Sequence, residues 1–76
     1  MLRRMKGPSP FRLQKFLGGL RYPACKRDVV ERARERRADR EIMRVLLRLP
    51  ERSYESPVSL SREAGRQAEN LFPEQP

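Results

Sequence analysis

Between Arg27 and Leu49 the chain runs without a glycine or a proline, so local propensity permits one continuous helix. The apolar residues forbid it. At about 100° per residue, the face carrying Val29, Val30 and Ala33 points roughly 160° away from the face carrying Ile42, Val45, Leu46 and Leu49. A straight helix cannot turn both faces to one core, so the run is expected to break near Arg37 to Asp39. Asp39 is the residue type that caps a new helix, which would end at Leu49, before Pro50. This leaves a second helix from about Lys26 to Arg37, with Asp28 and Arg32 four apart in the favourable order, and a third from Asp39 to Leu49.

The flanking segments carry their own punctuation. In SPFRLQKFLGGL, Ser9 can cap, Pro10 suits a first helical position, and Gly18 with Gly19 can supply a left-handed stop. Leu13, Phe16, Leu17 and Leu20 fall on one stripe, with Arg12 and Lys15 outside it. Tyr22 and Pro23 then form an extended corner, because a residue before proline is pushed out of helical geometry. Downstream, Tyr54 marks a second corner, Ser56 caps, and Pro57 opens a fourth helix with Leu60 and Ala64 inward and Gly65 as its stop. The two tyrosine corners lie 32 residues apart, which fits a duplicated helix-corner-helix unit. Both tyrosines are expected to plug their corners and put a hydroxyl at the surface. The expected fold class is therefore all-α, a small bundle of four short helices. It comprises a flexible basic arm (1–8), one helical domain (9–65) and a C-terminal tail (66–76) in which Leu71 and Phe72 are the only anchors.

At 76 residues the chain holds one small core and no deep cleft. Hydrophobic and charged residues each make up 37%, a composition in which a partner or a dimer would help stability. The net charge of +8 is uneven: +6 over residues 1–22, +4 over 23–48 and −2 over the rest. Such asymmetry points to a polyanionic partner, nucleic acid first, or an acidic protein or membrane surface. Fifteen of the eighteen bases are arginine, which GC-rich codon usage also produces, so the choice of arginine over lysine decides little. One cysteine and no histidine exclude an internal disulfide and the usual Cys/His zinc sets, so no metal is expected. The opening MLRRMKGPSP is basic with no apolar run behind it, and no stretch approaches the roughly 18 apolar residues of a membrane span. A cytoplasmic location is expected.

The stretch LQKFLGGLRYPACKRDVVERARERRAD, followed by LRLPERSYESPVSLSREAG, resembles the domain-of-unknown-function 2795 family of small, mostly bacterial domains. The resemblance runs from Leu13 to Gly65. Its specific parts are the GxxYP corner within Gly18 to Pro23 and the LPxRxYxSP segment from Leu49 to Pro57. It implies a small helical domain with no assigned activity and no recognised catalytic residues. The family usually shows serine where this chain has Cys25, and often glycine where it has Arg37.

Cys25 sits beside Lys26 and Arg27 at the start of the second helix. A helix N-terminus and neighbouring cations favour a thiolate. Nucleophilic catalysis also needs a base, an orienting group and an oxyanion site, and a chain without histidine lacks the commonest base. Cys25 is therefore read as filling a cap position, and the chain as no enzyme, with no cofactor and no small-molecule substrate. Asp28, Glu31 and Glu35 lie among arginines as a solvated helix face, not as a general acid/base pair. Gly18 and Gly19 lack the Lys-Ser/Thr ending of a phosphate loop.

The arginines carry the functional expectation. Arg40, Arg44 and Arg48 recur every four residues opposite the apolar face of the third helix, with Arg37 just before it and Arg3, Arg4 and Lys6 in the arm. Guanidinium groups on a rigid helix can follow phosphates by charge and bidentate hydrogen bonds. Glu35, Asp39 and Glu41 dilute the row. The aromatic residues are spaced as core and corner residues, not as a stacking platform. The third helix also has no Asn or Gln with which to read adenine, which disfavours groove reading by a helix-turn-helix. The alternative is a protein-interaction or structural module, a homodimer or accessory subunit, using apolar surface at Met43 and Leu47.

Overall fold

The computed structural model describes residues 10–71. The basic arm, the Ser9 cap and residues 72–76 lie outside the described residues. Helix α1 (Pro10–Phe16) is followed by β1 (Ala24–Cys25), α2 (Lys26–Glu35), α3 (Arg40–Leu47), β2 (Ser53–Tyr54) and α4 (Pro57–Leu71). Helix α3 packs between α2 and α4, and α1 closes the group against α4.

The break in the Gly/Pro-free run falls where the apolar phases require it. Helix α2 ends at Glu35, and Arg37 takes φ 59°, a left-handed residue that reverses the chain. Two backbone bonds close this end: Ala38 N–H donates to Ala33 C=O at 2.9 Å and Arg37 N–H to Arg34 C=O at 3.0 Å. That pairing is a Schellman stop, which normally places glycine at the left-handed position. Asp39 then caps α3, accepting from Ile42 N–H at 3.0 Å. With the phase reset, Val29 and Ala33 face the same core as Ile42, Val45, Leu46 and Leu49, all at 0–1% exposure. At the other end of the core, Gly19 (φ 85°) turns the chain after α1. The Gly18 carbonyl there accepts from Arg36 at 2.9 Å and Arg32 at 3.4 Å, so one arginine of α2 and the residue just past its end tie down the turn after α1 from across the interface.

The all-α expectation is overturned by the corners. Ala24 pairs with Tyr54 and Cys25 with Ser53, forming a two-stranded antiparallel sheet. Each corner has left a helix and not yet begun the next, so its backbone groups need partners, and each corner supplies the other's. Two residues are too few to show alternation, which is why no strand signal precedes the structure.

The tyrosine hydroxyls are also buried instead of surfacing. Tyr54 is wholly buried and donates to Pro50 C=O at 2.7 Å, stapling the corner to the end of α3. The Tyr22 hydroxyl is buried with no partner in hydrogen-bond geometry among the described residues, beside a cis Tyr22–Pro23 peptide. Burial raises the pKa of both tyrosines; the Gln14 amide partly opposes this at Tyr22 and Arg52 does so at Tyr54.

Helix α4 begins as expected, with Ser56 Oγ accepting from Ser59 N–H at 3.2 Å. Gly65, however, does not stop it, and the helix continues to Leu71. Ala68 is buried at 2% and Leu71 packs against the core, so tertiary contact carries the helix through a residue that would otherwise weaken it.

Candidate nucleic-acid interface

Helix α3 positions its arginines by the same phase that buries its other side. With Ile42, Val45 and Leu46 sealed against α2 and α4, the residues at Arg40, Arg44 and Leu47 must face out, and all three are exposed. Arg48, the C-cap residue, is exposed as well. At 1.5 Å per residue, Arg40 to Arg48 spans about 12 Å along the helix. Arg37 stands exposed in the turn just upstream. The structure thus places Arg37, Arg40, Arg44 and Arg48 along one turn and helix, whereas Arg3, Arg4 and Lys6 lie outside the described residues.

The acids that dilute this row in the sequence are engaged elsewhere. Arg12, reaching across from α1, hydrogen-bonds both Asp39 and Glu41, the latter at 3.3 Å. One cation therefore answers the two carboxylates at the start of α3, one of which is the cap. Among the described residues, Arg37, Arg40 and Arg48 form no ion pair. Glu35 is held by Arg32 at 3.8 Å on the outer face of α2, and Arg27 holds Glu31 at 3.5 Å.

Cys25 occupies the N-cap position of α2 with extended backbone, yet its side chain makes no capping hydrogen bond. It is exposed and its backbone belongs to β1, so the cap reading holds for position and not for the bond. Met43 is partly buried against the core, leaving Leu47, at 50% exposure, as the apolar residue within the arginine row.

A second basic cluster was not visible in the sequence. Arg52, Arg62 and Arg66 line one surface depression together with Ser59 and Glu63. The available signal was the i, i+4 spacing of Arg62 and Arg66, but a helix stopped at Gly65 leaves Arg66 in a tail. Arg52 joins them only because the β2 corner folds back onto α4.

No described helix is long and apolar enough to cross a membrane. The family described as protein of unknown function (DUF2795) matches residues 8–61, well over half of the chain. The chain belongs to this family. No curated protein and no solved structure matches it. The DUF2795 match covers α1, both corners, α2, α3 and the start of α4, so the arginine row and the β1–β2 pairing lie within the family domain, while Arg62 and Arg66 lie beyond the matched residues.

Proposed function

We propose that this DUF2795 domain is a non-enzymatic binding module that contacts nucleic acid through the outer face of α3. The observation that carries this reading is the charge separation at that face. Arg12 takes up Asp39 and Glu41 from the side, while Arg37, Arg40 and Arg48 stand exposed without a carboxylate partner among the described residues. A rigid row of this kind favours contact with phosphates over base edges, so recognition is indifferent to sequence and sensitive to salt.

If the four arginines of the row each neutralise one phosphate of duplex DNA, log K falls with log salt at a slope of roughly −3.6. That corresponds to about a hundredfold loss of affinity between 50 and 200 mM salt. Fluorescence anisotropy with labelled DNA and RNA across a salt series measures this directly. Converting Arg40, Arg44 and Arg48 to Glu is expected to abolish binding with helicity intact by circular dichroism. No binding by the unaltered chain at low salt, or binding unchanged in the triple variant, refutes the reading.

The exposed Leu47 supports the second reading, a homodimer or accessory-subunit interface. Light scattering separates the two, since a Leu47-centred dimer shifts to monomer on Leu47→Glu and nucleic-acid binding does not require the shift.

A further inference from the structure

The depression between the β2 corner and α4 belongs to neither reading, and its lining is chemically one-sided. It is lined by three arginines, Arg52, Arg62 and Arg66, together with Ser59 and a single acidic residue, Glu63. Its volume of about 270 Å³ falls below the roughly 300–1,000 Å³ of sites for drug-sized ligands. A phosphate group fits such a space.

Glu63 is the buried charge of the group, at 8% exposure, and it holds Arg66. One of its oxygens accepts from Gln67 at 3.0 Å and the other lies 3.9 Å from Arg66. Arg52 is fixed differently, over the ring of Tyr54 at 5.2 Å. Arg62 has no ion-pair or hydrogen-bond partner among the described residues. Ser59 shares a hydroxyl contact with Ser56 at 3.2 Å in which Ser56 can donate, leaving the Ser59 proton free to point into the depression. Three cations against one already engaged carboxylate leave an excess of two positive charges, and like charges gathered in one place are relieved by a counter-ion. Arginine forks with a hydroxyl donor match the oxygens of a tetrahedral oxyanion.

The geometry points to a phosphate site formed by Arg52, Ser59, Arg62 and Arg66, taking inorganic phosphate or a phosphate monoester. It is independent of the α3 row, with which it shares no residue.

The test is a nuclear magnetic resonance titration of the ¹⁵N-labelled full chain with sodium phosphate, against sodium chloride at matched ionic strength. Saturable shifts are expected at the Ser59 amide and the side-chain Nε–H groups of Arg52, Arg62 and Arg66, with none in chloride. Arg62→Gln, at an exposed position that leaves the core untouched, should weaken the response about tenfold or more, as loss of a charge-assisted hydrogen bond does. The Arg40, Arg44, Arg48 to Glu variant should keep it. A short oligonucleotide with and without a 5′-phosphate identifies the source. A shift at Ser59 that requires the 5′-phosphate assigns a nucleic-acid end, and a response to inorganic phosphate alone assigns a free phosphate. A linear drift equal in chloride, or an undiminished response in Arg62→Gln, overturns the site.

Discussion

Arg37 is the residue at which this fold should be easiest to stabilise. Its φ of 59° is the left-handed conformation, and the two bonds of the Schellman stop, Ala38 to Ala33 and Arg37 to Arg34, require that conformation. A side chain there costs about 1–2 kcal/mol through its Cβ. Arg37→Gly removes that cost and returns about 0.5–1 kcal/mol as added freedom of the unfolded chain. The net gain is about 0.5–1 kcal/mol, or roughly 2–8 °C in Tm for a domain of this size. Arg37 is exposed and without an ion pair among the described residues, so little else is lost. Arg37→Ala is the control, because it deletes the charge and keeps the Cβ. Urea and thermal denaturation followed by far-ultraviolet circular dichroism should show a higher midpoint for the glycine variant, no comparable gain for the alanine variant, and an unchanged urea m-value. Equal gains from both would place the effect in charge repulsion, and a loss with glycine would refute the backbone argument outright.

Gly65 offers the complementary substitution. It lies inside α4, where an added Cβ would meet no atom within 4 Å beyond its chain neighbours and the helix's own backbone, so Gly65→Ala is expected to raise stability by about 0.5–1 kcal/mol, seen as a higher urea midpoint. At Asp39, alanine deletes the cap to Ile42 and should cost about 1–2 kcal/mol. Asparagine retains the cap and loses only the exposed pairing with Arg12, so its cost should stay under about 1 kcal/mol; equal losses would mean the charge matters more than the cap. Both tyrosines have raised pKa values in the fold, so the folded state favours their neutral forms. That contribution is complete below the ordinary value of 10.0 and is lost as pH rises through the raised values. Urea midpoints measured from pH 8 to 11.5 should fall more steeply above pH 10 in the unaltered chain than in the Tyr22→Phe, Tyr54→Phe variant.

The parts of this fold that could be read in advance are those set by helical phase and by capping residues. The α2–α3 break follows because two apolar faces, one led by Val29 and the other by Ile42, cannot share a core from one rod, and Asp39 stands where the new helix must start. The outward direction of Arg40, Arg44 and Arg48 follows from the same phase. These are local properties: each depends on rotation per residue and on one side chain reaching one nearby N–H.

What required the tertiary structure is every feature in which two distant segments satisfy each other. The β1–β2 pairing joins Ala24 to Tyr54 and Cys25 to Ser53, far apart along the chain, and its two-residue strands carry no period to detect. The passage of α4 through Gly65 depends on Ala68 finding the core, a burial gain that outweighs a weak local propensity. The grouping of Arg52 with Arg62 and Arg66, and the diversion of Asp39 and Glu41 to Arg12, are likewise decided by which surfaces meet. Composition counts charges, and only the packed chain determines which of them neutralise one another, because pairing depends on distance in space and not on separation along the chain.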